Sequence, residues 1–393
     1  MDDNFTQPPQ NPAPTQPPPL RPTSQPAYTP PVYVPPPPRA KSGTGWKVVA
    51  ILACALFLCS LVVNPLHVLF GMMEGAGGGL PTHNAVGPKL QEALLKDNDS
   101  KNKIAVVPIE GVIMSQKVGR GFSMVDVVEE QLRRAEHDKS VKAVVLKVNS
   151  PGGEVLASDD IYKLIDQFHA RTGKPVVASM GSLAASGGYY VSAPCQWIVA
   201  NELTITGSIG VIMHGYNFRG LMDKVGVRPE VFKSGKFKDM LSPDKREEDI
   251  TQEERDMIQS MVNETFEKFK SVVAEGRGNA VKKNAGAGDA NHPLAENWAQ
   301  YADGRVLSGK EALKLGFVDE LGNLDTAVAR AQKLAKIPDA NLIEYQPLFD
   351  ISDLFGMLGQ SGEARTLKID VGFDAPRLQM GRLYFLCPLV LPR

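Results

Sequence analysis

The chain has 393 residues, 43% of them hydrophobic and 22% charged, with a formal net charge of −1. That length exceeds one ordinary domain and that apolar share can fill a core, while the near-neutral charge gives nucleic acid no electrostatic reason to be a partner. The four cysteines, Cys54, Cys59, Cys195 and Cys387, argue against a disulfide scaffold, and none has zinc-ligand spacing with a nearby histidine, so no structural metal is expected.

Half of the 30 prolines fall before Ala40, among Gln, Thr and Ser. Such a stretch lacks the large apolar residues that would offset its ordering entropy, so residues 1–45 are expected to be a disordered, partly polyproline II arm. An uncharged, mostly apolar run follows from Val48 to Val63 and is extended by Leu66–Met73. Its length suits one transmembrane helix, placed at residues 46–73. Arg39, Lys41 and Lys47 precede the run and no Lys or Arg follows until Lys89. The positive-inside rule therefore keeps the N-terminus cytoplasmic and puts the remainder on the exported, periplasmic or extracellular side. A cleaved signal peptide fits less well, because the preceding stretch is long and no clear A-x-A site follows.

Residues 74–102 read as a connector, Gly-rich and then charged. From Lys103 the texture alternates. Strands are expected at Ile104–Pro108, Val141–Asn149, Pro175–Ser179 and Trp197–Ala200, and helices at Val125–Asp138, Leu156–Arg171 and Ala185–Ala193. Long helices follow at Thr251–Gly276 and Leu324–Leu334. A β-α-β-α order predicts an α/β fold with a parallel sheet covered by helices.

Two segments have the residue types that chemistry needs. In Met180-Gly181-Ser182-Leu183-Ala184-Ala185-Ser186-Gly187-Gly188-Tyr189-Tyr190, Ser186 sits where a strand turns into a helix. A hydroxyl there lies near the positive end of a helix dipole, among small neighbours that let a substrate backbone approach. A helix-capping serine in a tight glycine turn explains the same residues. It is not a G-x-S-x-G elbow, because Ala184 stands two before the serine. In Ser150-Pro151-Gly152-Gly153, at a strand's carboxyl end, the glycines leave backbone N–H groups free to point into a cleft, as an oxyanion hole requires; an ordinary β-α turn reads the same.

A serine nucleophile needs a base. Of the six histidines, His67 belongs to the apolar run, His83 to the connector, His137 and His169 to late turns of surface helices, and His292 to a polar loop; His214, after Gly210-Val211-Ile212-Met213, is the one placed to reach a cleft. The alternative is a desolvated lysine, neutral enough to take a proton. Lys233, Lys236 and Lys238 all qualify on the residues alone, as they all do for a solvated basic loop.

The ordered set SPGG, GSLAASGGYY, TGSIGVI, SGKFKDMLSP and ADGRVLSGKEALKLGFVDELG, spread over about residues 103–336, resembles signal peptide peptidase A in its short, single-repeat form. The resemblance implies a ClpP/crotonase-like α/β fold over residues 103–342, with a tail of uncertain structure at 343–393. It implies a Ser–Lys dyad with Ser186 as nucleophile and Lys238, the second lysine of GKFK, as base. Gly153 matches the backbone N–H that holds the oxyanion, and Ser208 a hydroxyl that orients the lysine. It also implies a membrane-anchored serine endopeptidase that needs no cofactor and acts on released signal peptides and other hydrophobic or unfolded peptides. Family geometry makes it a ring-like homo-oligomer in which neighbouring subunits share each active site.

Residues 278–302 look longer than the family's usual link, and read as a surface insertion that leaves the sites untouched. The apolar end LYFLCPLVLPR fits an extra strand, an oligomer contact or a peptide lying in the groove. Three other functions are weighed against the first: a related membrane protease with a narrow membrane-protein substrate, a non-proteolytic crotonase-like acyl-CoA enzyme, and a scaffold without catalysis. The second of these would leave SGGYY and GKFKD unexplained.

Overall fold

The computed structural model describes residues 87–117, 122–285, 291–348 and 382–387. The chain divides into units of residues 1–82 and 83–393, and all described residues belong to the second. The Pro-rich arm and the segment 46–73 therefore lie outside the described residues; among those described, no helix is long and apolar enough to cross a membrane.

In chain order the elements begin with β1 (Leu90–Lys96), β2 (Lys103–Glu110), α1 (Met124–His137), β3 (Val141–Ser150), β4 (Gly152–Glu154), α2 (Val155–Thr172) and β5 (Val176–Ala185). Next come α3 (Gly187–Ser192), β6 (Trp197–Ala200), β7 (Ile205–Gly207), β8 (Ile212–Met213), α4 (Arg219–Lys224) and α5 (Gln252–Ala285). The last are β9 (Val306–Ser308), α6 (Gly309–Lys314), β10 (Glu320–Leu321), α7 (Leu324–Ala335), β11 (Asn341–Pro347) and β12 (Leu383–Leu386).

The main sheet runs β1-β11-β2-β3-β5-β6-β10, with β7 beside the end of β5 and β9 beside β7. Within it only the β1–β11 and β7–β9 pairs are antiparallel. The valine run of β3 follows from this central place, since a parallel strand buried on both faces has no polar side to show. Val144, Leu146 and Val148 pack toward Ile161, Ile165 and Phe168 of α2 and Phe269, Val272 and Val273 of α5. Ala143 and Val145 face the other way, with Val177 and Trp197, onto Ala327 and Ala331 of α7. Helix α1 starts where it does because the Ser123 hydroxyl caps Asp126 N–H while the Asp126 carboxylate returns to Ser123.

The expected parallel α/β sheet is present, with three differences. Residues Leu90–Lys96, read as connector, add an edge strand on β11. Helix α5 does not stop at Gly276 but continues to Ala285, 34 residues in all, or about 51 Å. Gly276 is inside the helix because a Cβ there would stand 2.4 Å from the Ala193 carbonyl oxygen; the glycine permits a close crossing and does not end the helix. The supposed surface insertion accordingly begins as helix, with one edge packed against the fold. Ala280 and Asn284 are buried, and Asn284 donates to the Gln196 carbonyl at 2.9 Å.

Cys195 and Cys387 are free and buried, and burial pushes the Cys195 thiol up to about 12. The thiolate is the reactive form. Iodoacetamide at about pH 8 should therefore leave Cys195 unmodified in the native protein and modify it fully once the chain is denatured. Peptide mass analysis reads the result, and fast native labelling would contradict the buried placement.

Candidate active site

Strand β5 delivers the chain to Ala185 and α3 starts at Gly187, so Ser186 occupies the turn itself. Its backbone is at φ 53 and ψ −116, a left-handed φ that is strained for a residue with a Cβ. The surroundings hold it there. Ser186 N–H donates to the Gly207 carbonyl at 2.8 Å, which ties the turn to β7. Behind it, the Tyr189 hydroxyl donates to the Phe317 carbonyl at 2.9 Å and the Tyr190 hydroxyl to Asp159 Oδ1 at 2.7 Å. The Ser186 Oγ is buried and has no hydrogen-bond partner. Such orphaned hydroxyls are uncommon because desolvating one without compensation is costly.

The Ser150–Gly153 turn lies directly beside this serine. Gly152 has φ 97, and a Cβ there would stand 2.0 Å from the Phe385 carbonyl oxygen and 2.5 Å from Gly187 N. At Gly153 a Cβ would be 1.8 Å from the Ile113 carbonyl oxygen. Both glycines are thus required by close approach of backbone. Ser208 immediately follows the Gly207 that holds Ser186, and its own N–H donates to the Arg305 carbonyl at 2.7 Å. It lines a cavity of about 270 Å³ together with Val211, Phe266 and Leu386. Three of the four expected site residues, Ser186, Gly153 and Ser208, therefore converge.

The fourth makes no hydrogen bond to Ser186. Lys238 is exposed, in the segment between α4 and α5. The three lysines that the sequence left level are nevertheless distinct. Lys233 pairs with Asp239 at 2.7 Å and Lys236 with Glu253 at 2.5 Å, whereas the Lys238 amine has no hydrogen-bond or ion-pair partner among the described residues. His214 is exposed. From residue 216 through α4 into the segment that bears Lys238, apolar side chains stand in solvent, including Tyr216, Leu221, Val227, Val231 and Phe232, the last 95% exposed. Among the described residues no group of three or more His, Cys, Asp or Glu is placed to hold a metal.

The C-terminal end supplies an element that the sequence left open. β12 runs antiparallel between β4 and β8, with Tyr384 opposite Glu154, Phe385 opposite Gly153, Leu386 opposite Gly152, and Leu383 opposite Met213. Cys387 N–H continues the ladder to the Pro151 carbonyl at 2.8 Å. An extended peptide therefore lies across the glycine turn next to Ser186. Phe385 stacks on Tyr190, centroids 4.8 Å apart, and packs on Phe269 at 4.7 Å.

The fold and the family are shown by comparison with known proteins. The profile of Peptidase family S49 matches residues 169–338, and that of Clp protease matches residues 105–195, in keeping with a ClpP-like α/β fold. The chain is 35% identical over 311 residues to the putative signal peptide peptidase SppA of Enterococcus faecium, covering 77% of this chain and 84% of that protein. It is 35% identical over 274 residues to a putative protease of Synechocystis sp., covering 70% of this chain and 89% of the other. With the chloroplastic serine protease SPPA of Arabidopsis thaliana the identity is 32% over 278 residues, 68% of this chain and 38% of that one.

Proposed function

Because the chain belongs to peptidase family S49 and is a serine protease of the SppA type, we propose that Ser186 is its nucleophile and that Lys238 of a neighbouring copy is the general base. The carrying observation is the Ser186 hydroxyl, buried and partnerless on a strained turn, with an extended peptide strand lying beside it. In the proposed reaction the amine of Lys238 takes the hydroxyl proton as Ser186 attacks a peptide carbonyl. Gly153 N–H holds the oxyanion. The resulting ammonium protonates the leaving amine, and water then releases the acyl group from Ser186. Ser208 orients the lysine.

Self-association is the natural source of the base. The segment that bears Lys238 carries unburied apolar side chains, and burying an amine at an interface favours its neutral form. The substrates are hydrophobic peptides such as released signal peptides, bound extended in the place that β12 fills. The catalytic unit is exported and is anchored by residues 46–73.

Mixing tests the shared site. Ser186→Ala and Lys238→Ala chains, each inactive alone, should regain about a quarter of wild-type peptide hydrolysis when unfolded and refolded together one to one, as independent drawing of neighbours requires. No recovery, with oligomers forming normally, would place both groups in one chain.

A further inference from the structure

Glu154 is a carboxylate for which the chemistry above has no use. Its side chain is 4% exposed. One oxygen is held from within the fold, accepting from Ser115 N–H at 2.9 Å and from the Ser115 hydroxyl. The other oxygen is aimed into the groove, where the Arg382 guanidinium meets it at 2.5 Å. Glu154 stands opposite Tyr384 in the ladder, so Arg382 is its diagonal neighbour two residues along the same face, within reach of a long side chain. Arg382 itself is about half exposed. It is brought to Glu154 by the peptide strand, not by the fold's core.

We propose that Glu154 is a specificity-determining residue of the groove, selecting peptides that carry Arg or Lys three residues before the aromatic side chain seated on Tyr190 and Phe269. This rests on reading the place of β12 as the substrate site. The spacing is that of Arg382 and Phe385 in the strand now occupying it. When a substrate replaces that strand, the inward carboxylate oxygen loses its cation. A peptide that supplies a new one keeps a charge-assisted hydrogen bond, whereas one that does not leaves a buried acceptor unpaired, and sites of this kind reject the incomplete ligand. Leu386, on the same face of the strand, borders a largely apolar cavity, so the selected peptide is basic first and apolar after.

The test uses the full chain and two internally quenched peptides, Arg-Leu-Tyr-Phe-Leu-Ser and its counterpart with Ala in place of Arg. Wild type should cleave the Arg peptide with about tenfold higher kcat/KM, and Glu154→Gln, which keeps the shape and the Ser115 contact, should bring that ratio close to one. Anisotropy with labelled peptides on Ser186→Ala chains should show the same ratio in Kd. Cleavage without preference for Arg, or a preference that survives in a folded Glu154→Gln chain, overturns the assignment of Glu154 while leaving the protease reading intact. Arg-dependent binding that Glu154→Gln abolishes, without cleavage in wild type, keeps Glu154 and overturns the proposed chemistry. Peptides neither bound nor cut overturn both, and make β12 a permanent strand of the fold.

Discussion

Ser186→Ala is expected to lower hydrolysis of a hydrophobic fluorogenic peptide by about 10⁴-fold or more, to the level left by binding and oxyanion contacts alone. Lys238→Ala should do nearly as much, because a nucleophile and its base act as one unit and losing either loses most of the effect. Lys236→Ala and Lys233→Ala serve as the register controls. Their amines are engaged with Glu253 and Asp239, so each should keep activity within about tenfold of wild type, the scale of a modest surface ion pair. Neither Ser186→Ala nor Lys238→Ala should unfold the protein. The Ser186 hydroxyl makes no hydrogen bond to lose, and Lys238 is exposed. Activity that survives Ser186→Ala would move the nucleophile elsewhere, and equal loss in Lys236→Ala and Lys238→Ala would leave the register open to the first lysine of GKFK.

The second large effect is on stability. The Arg277 and Asp319 side chains have no solvent exposure and form an ion pair. Arg277 also donates to the Cys195 carbonyl at 3.0 Å, while Asp319 accepts from Ile198 N–H at 2.8 Å and from Asn291 Nδ2 at 2.8 Å. Arg277→Met fills much of the volume but strands a buried carboxylate, a change that costs about 3–5 kcal/mol. Adding Asp319→Asn removes that charge while an amide oxygen remains for Ile198 N–H, so the double variant should recover a large part of the loss. Denaturant midpoints followed by tryptophan fluorescence measure the cycle. Additive losses in the double variant would mean that the pair is not coupled. The consequence reaches the candidate active site, because Arg277 fixes the carbonyl of Cys195, just past the helix that follows Ser186.

What could be read from sequence divides along physical lines. The valines of β3 and the helical spacing of α2 are local patterns whose period is set by burial, and both elements lie where those patterns put them. The turn that carries Ser186 is legible for the same reason, since a strand-to-helix serine among glycines makes a recognisable turn; the residues alone leave it level with a capping serine, and the part given to Gly153 rests on the resemblance. Choosing Lys238 over its neighbours rested on family resemblance alone; the distinction lies in long-range pairs such as Lys236 with Glu253, which spacing does not encode. β1 escaped notice because it is an edge strand with Leu94 and Leu95 exposed, so it shows no alternation. β12 is four residues long and gains its meaning entirely from distant partners. Gly276 misled in the opposite sense, since it looks like a helix end but serves a crossing against Ala193.

The place of β11 governs how the chain is made. β11 slots between β1 and β2, pairing Leu90 with Pro347 on one edge and Lys103 with Asn341 on the other. Until synthesis passes Pro347, β2 has one edge without a partner and β1 has no strand to join. An open edge of apolar strand is the hazard that leads to intermolecular pairing, and closure across so long a stretch of sequence is slow. The nascent chain therefore spends most of its emergence with its sheet unfinished and one strand edge open to a wrong partner.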